Sequence, residues 1–99
     1  MSEAIQELAI EGELSIYRAA ELRQWLADVV PQDGALRIRL ADVTEIDTAG
    51  AQLLLAGKRL AKERGCRLSY VDHGPPVLAL LELFDLAAQL DDPIVLPAA

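Results

Sequence analysis

The residues best placed to do chemistry are Asp47, Thr48 and Gly50, where the run Val43-Thr44-Glu45-Ile46-Asp47-Thr48-Ala49-Gly50 leaves an apolar strand and begins a helix. A side-chain oxygen at Asp47 or Thr48 suits the free N–H groups of a first helical turn. Gly50 removes a Cβ that would crowd anything approaching the Thr48 hydroxyl. A hydroxyl at the positive end of a helix tolerates phosphate well, because the dipole and the unpaired amides favour negative charge. On local chemistry alone the same residues also read as an ordinary N-cap.

Other constellations are weaker. Asp42, Glu45 and Asp47 cluster before the helix, but an acid–base pair or a hard-cation site wants further ligands, and no histidine is near in sequence. Gly50 through Lys58 superficially resembles a phosphate-binding loop; Arg59 replaces the required Ser or Thr, and the interval is Leu-rich helix, so that reading fails. His73 reads as a loop residue, with no nucleophile tied to it by spacing. The single cysteine, Cys66, excludes an internal disulfide and, beside a single histidine, a zinc set; it reads as packing at a strand start. Five of the nine basic residues, Lys58, Arg59, Lys62, Arg64 and Arg67, fall within ten positions and read as a solvated helix end that complements the dipole. Ten residues of helix put Lys58 about 15 Å from Thr48, beyond a Debye length of about 8 Å. The cluster could at most form a second contact surface.

These residues need elements to hold them. Leu36, Ile38 and Leu40 alternate with Arg37 and Arg39, which predicts a strand, with Val43 and Ile46 carrying the chain across its end. Residues 5–10 and 13–16 read as two short strands around Glu11-Gly12. Ala19, Leu22, Leu26, Val29 and Val30, widened by Trp25, mark one face of a helix that Pro31 ends. The helix after Thr48 runs to a C-cap at Gly65, with Leu53, Gly57, Leu60 and Ala61 on one face. Gly57 costs that helix roughly 1 kcal/mol relative to Ala, which points to a close approach by sheet or neighbouring helix. Residues 67–71 predict a strand, His73-Gly74-Pro75-Pro76 a loop whose second proline opens a helix over 77–83, and Ile94-Val95-Leu96 a closing strand. Strands separated by single helices predict mainly parallel pairing.

Glu11-Gly12-Glu13-Leu14, the helix opening at Ala20-Glu21-Leu22-Arg23, and Glu45-Ile46-Asp47-Thr48-Ala49-Gly50-Ala51-Gln52-Leu53-Leu54-Leu55 together resemble the STAS domain, the family of anti-sigma factor antagonists and sulfate transporter tails. The likeness covers nearly the whole chain. Its most specific element is the Asp-Ser/Thr-x-Gly turn, supported by Leu83-Phe84-Asp85-Leu86 where the family often has a Leu-x-Gly-Leu-like turn. Many members carry Asp where this chain has Ser15 and Arg39. The resemblance implies an α/β fold with a mixed, mainly parallel sheet covered by helices, here without the last family helix. It also implies that Thr48 is a phosphorylation switch and that Glu45, Asp47, Thr48, Ala49, Gly50 and Gln52 meet a partner. That partner would be a kinase, an anti-sigma factor or a chemotaxis component. Gly12-Glu13-Leu14-Ser15-Ile16-Tyr17 and Asp92-Pro93-Ile94-Val95-Leu96 look like small chemotaxis-associated STAS proteins. The other subclass it resembles is the STAS adaptor of phospholipid-trafficking ABC transporters, which binds an ATPase subunit.

Composition sets the remaining bounds. Ninety-nine residues at 53% hydrophobic content suffice for one core, so a single domain over 1–99 is expected. No apolar run is long enough to span a membrane, and a start with Glu3 and Glu7 is unlike a signal peptide, so a cytoplasmic protein is expected. A formal charge of −7 opposes nucleic acid or an anionic membrane as partner. The expectation is a non-enzymatic module without cofactor or metal. An apolar face left open near Ile94 and Leu96 would suit a homodimer or a partner.

Overall fold

The structure is a computed structural model and describes residues 5–83. The expected strand at Ile94–Leu96, the turn after Leu83 and the expected absence of a last helix lie outside the described residues. Along the described chain run β1 (Ile5–Ala9), β2 (Gly12–Leu14), α1 (Ala19–Val29), β3 (Ala35–Arg39), β4 (Val43–Ile46), α2 (Thr48–Glu63), β5 (Arg67–Val71) and α3 (Pro75–Leu83).

All the described pairings are parallel. β3 lies between β1 and β5, with Ile38 opposite Leu8 on one side and Tyr70 on the other. The alternation in β3 sorts its residues: Leu36 and Ile38 are buried and Arg37 and Arg39 exposed. Leu22 and Leu26 of α1 and Leu53, Leu54 and Ala61 of α2 join Leu36, Ile38, Leu68 and Tyr70 in one core. On the open face Arg39 meets Asp72 at 3.0 Å and Glu7 at 3.9 Å, so it works as an ion-pairing residue of the sheet surface.

Val43–Ile46 departs from the sequence reading. These residues do not simply cross the end of β3; they form β4, which pairs with β2 in a separate two-stranded sheet with a register shift between Gly12 and Glu13. Gly12 (φ 83°) turns the chain there and donates from its amide to Asp42 O at 3.0 Å. β2 also stops at Leu14, short of the expected residue 16. The Ser15 hydroxyl accepts from the Tyr17 amide at 3.3 Å and donates to Glu13 Oε1 at 3.0 Å, which bends the chain out of the strand.

α2 closes as expected at Gly65 (φ 73°), where Gly65 N donates to Lys62 O and Cys66 N to Ala61 O, the paired bonds of a Schellman motif. Gly57 is where two neighbours press closest. A Cβ there would collide with the Tyr70 hydroxyl and sit 3.3 Å from Leu26 Cδ1. Cys66 is buried immediately before β5, as a packing residue.

The basic cluster is less solvated than its sequence implies. Arg64 Nη1 donates to Ala27 O at 2.9 Å and Val30 O at 2.6 Å, satisfying carbonyls at the end of α1. Lys58 Nζ donates to Leu68 O at 2.6 Å and lies 5.7 Å from the Tyr70 ring centroid. Arg59, Lys62 and Arg67 remain exposed. α3 begins at the first proline, Pro75, not the second. Among the described residues no helix is long and apolar enough to cross a membrane.

Candidate functional site

The turn between β4 and α2 is built around one carboxylate. Asp47 is the extended residue before α2, and its Oδ1 accepts from the Gly50 amide at 2.9 Å. Its other oxygen, Oδ2, accepts from the amide of Ile16, 31 positions earlier, at 3.1 Å. The backbone repeats the link, with Asp47 N donating to Leu14 O at 3.3 Å and Ala51 N to Asp47 O at 3.0 Å. Asp47 therefore caps α2 and fastens the β2–α1 loop to the start of that helix. The Gly50 amide, and after it that of Ile16, hold its carboxyl below the ordinary value of 3.8, against a smaller opposing effect of desolvation.

Because Asp47 supplies the capping oxygen, Thr48 does not. Thr48 is the first residue of α2 and its side chain is exposed. Glu45 and Gln52 are also exposed, Asp47 and Ala49 are half-buried, and Gly50 is buried. The turn thus brings Glu45, Thr48 and Gln52 to the surface, with Asp47 beneath them. Gly50 answers to a different constraint from the one its sequence position suggests. A Cβ on Gly50 would collide with Leu14 O and lie 2.8 Å from Leu14 C. The glycine lets α2 approach the end of β2; clearing space around the Thr48 hydroxyl is not what demands it.

Asp47 spends both oxygens on amides, and among the described residues no group of three or more His, Cys, Asp or Glu could hold a metal ion. His73 lies in the loop between β5 and α3, half-buried. Sequence reasoning missed Ile16 and Tyr17. Ile16 was expected to end a strand and Tyr17 to follow it; both instead occupy the loop tied to Asp47, 64% and 89% exposed. The only signal for this was Ser15, whose hydroxyl favours a local turn over a strand.

The profile of a family described as "Mlab, STAS domain" matches residues 1–96. The anti-sigma-B factor antagonist of Bacillus subtilis (strain 168) is 29% identical over 85 residues, spanning 86% of this chain and 75% of that protein. With the Asp-Thr-x-Gly turn opening α2, parallel strands and a family match over nearly its whole length, this chain belongs to the STAS domain family.

Proposed function

We propose that this chain is a non-enzymatic regulatory module that docks on a protein partner through its β4–α2 turn, and that phosphorylation of Thr48 switches the docking. The observation that carries this reading is the division of labour at the turn. Asp47 caps the helix, and the hydroxyl of Thr48 is left exposed at the dipole's positive end. A phosphate there adds about −1.5 to −2 charges. It would stand beside Asp47 and Glu45 on a chain already at −7, so it remodels the surface a partner meets. Similarity to an anti-sigma-B factor antagonist supports a partner of the regulatory class: a kinase, an anti-sigma factor or a chemotaxis component in bacterial signalling.

The test is the affinity of wild-type, Thr48→Ala and Thr48-phosphorylated protein for a partner captured by a photo-crosslinker at Gln52. A switch requires wild type and Thr48→Ala to bind alike and the phosphorylated form to bind at least tenfold more weakly. Equal affinity of wild-type and phosphorylated forms refutes it. If the chain is instead the constitutive adaptor of a phospholipid-trafficking ABC transporter, phosphorylation leaves binding unchanged and Thr48→Ala weakens it by direct loss of contact.

A further inference from the structure

Beside the turn lies a groove of about 570 Å³, with Ile46, Pro76, Ala79, Leu80 and Leu83 along its apolar side and Tyr17 at its rim. That volume is in the range of ligand clefts, ~300–1,000 Å³. Three features mark it as a place where something binds. Among the described residues the exposed large hydrophobics are Ile5, Ile16, Tyr17 and Leu83; two of these line the groove, and Ile16 adjoins Tyr17 in the loop. α3 carries a single charged residue, Glu82, in nine, yet only Val77 and Leu81 of it are buried. A helix that apolar is ordinarily covered on more than one side. Finally, the lining holds three carboxylates, Glu13, Glu45 and Asp47, and no Lys or Arg.

We infer that this groove receives a basic amphipathic helix of the partner, its apolar side chains on Leu80 and Leu83 and its Lys or Arg residues against Glu13 and Glu45. The inference rests on the reading of the chain as a protein-interaction module and adds the chemistry of what it binds. Charge decides among the occupants. The chain's own residues 84–99 carry Asp85, Asp91 and Asp92 and no Lys or Arg, which sets like charge against like. A second copy offers exposed cations such as Arg59 and Lys62, but on a body with the same net charge of −7. Two such bodies repel each other, which weighs against self-association through the groove. A basic helix of another protein meets both the apolar side and the acidic mouth, and docks by a recurring mode of peptide recognition.

The probe is an 18-residue synthetic helix with Leu at i, i+3, i+4 and i+7 spacing and Lys elsewhere, titrated into the 15N-labelled full chain. A Glu-for-Lys peptide is the control. The Lys peptide should move the amides of residues 15–17, 45–47 and 77–83. Tyr17→Ser/Leu83→Gln, altered at two exposed positions so that the fold is kept, should bind it at least tenfold more weakly, and the Glu peptide should not bind. Absence of binding, or equal binding to the double variant, overturns the inference, the latter showing only attraction to an acidic surface. It is also overturned if the same amides shift on dilution of the free protein, which assigns the groove to a second copy, or if contacts to residues 84–99 fill it. The peptide assay does not involve Thr48. If it fails while a captured partner still responds to phosphorylation, the groove inference alone falls; the converse outcome removes only the switch.

Discussion

Gly57→Ala and Tyr70→Phe, made singly and together, test whether one contact sets the height of α2, and with it the position of Thr48. In an open helical position alanine stabilises by about 1 kcal/mol over glycine. Position 57 is not open. The new methyl would collide with the hydroxyl of Tyr70, which is 0% exposed and donates to Leu54 O at 2.7 Å. Moving the ring aside gives up that buried hydrogen bond, at about 1–3 kcal/mol. Keeping it forces overpacking, at about 1–3 kcal/mol. With the helical gain subtracted, Gly57→Ala should not stabilise and should cost up to about 2 kcal/mol.

Tyr70→Phe alone loses the bond and leaves a gap of one oxygen, worth about 1–2 kcal/mol. In the double variant the alanine methyl takes the place of the missing hydroxyl, leaving only the 3.3 Å contact with Leu26 Cδ1. Its stability should fall within about 1 kcal/mol of Tyr70→Phe, a coupling of up to about 2 kcal/mol where independent sites would simply add. Urea unfolding followed by helical circular dichroism measures all four proteins. In a domain of this size each kcal/mol also moves Tm by about 4–8 °C. Additive effects, or a Gly57→Ala variant about 1 kcal/mol more stable than wild type as at an open position, would show that the hydroxyl does not fix the helix.

Thr48→Ala should change stability by no more than about 0.5 kcal/mol, because the cap is Asp47 and Ala suits a first helical turn, whereas Asp47→Ala should be clearly the less stable of the two in thermal melts. Since folding lowers the Asp47 pKa, its contribution is complete above the unfolded value near 3.8 and fades as pH falls through the lower folded value. The stability difference between wild type and Asp47→Asn should therefore shrink as melts are taken from pH 5 to pH 2.5, and a difference that grows on acidification contradicts the sign. Arg64→Ala removes two donated hydrogen bonds to the end of α1 and should cost about 1–3 kcal/mol in urea unfolding. Gly50→Ala, which drives a methyl into Leu14 O, should lose about 3 kcal/mol or more and weaken partner binding only through that loss of structure.

What the sequence disclosed follows from periodicity. β3, β5, α1 and α2 carry long or strictly alternating apolar patterns, and their observed bounds agree with the expected ones within a residue or two. β4 was hidden because Val43 and Ile46 stand three apart, matching neither strand period, and because its partner β2 is three residues long and shifted in register. Ile16 was assigned to the end of a strand, and the side chain of Ser15, bonded to the Tyr17 amide, overrode that propensity. The turn itself was legible as a helix start, but the contact between Asp47 and Ile16 spans 31 positions and leaves no local trace. For the same reason the tertiary duties of Lys58 and Arg64 looked like a solvated charge cluster.

That long contact gives the proposed switch its reach. The two oxygens of Asp47 join the start of α2 to the loop carrying Ile16 and Tyr17, so a charge placed on Thr48 acts next to the atom group that holds both. The fold has little reason to fail. The modified side chain is exposed, and the helix dipole favours an added anion there by about 0.3–1 kcal/mol. In the proposed docking the partner would meet the change, because the anion would stand beside Asp47, which lines the groove together with Glu45, Tyr17 and Leu83. A basic helix would be drawn toward that added charge, whereas an acidic or tightly fitted surface over the turn would be expelled by it. A captured partner that binds at least tenfold more weakly after phosphorylation is held at the turn, as the switch requires; one that binds more tightly is held by the groove, and the switch as proposed fails.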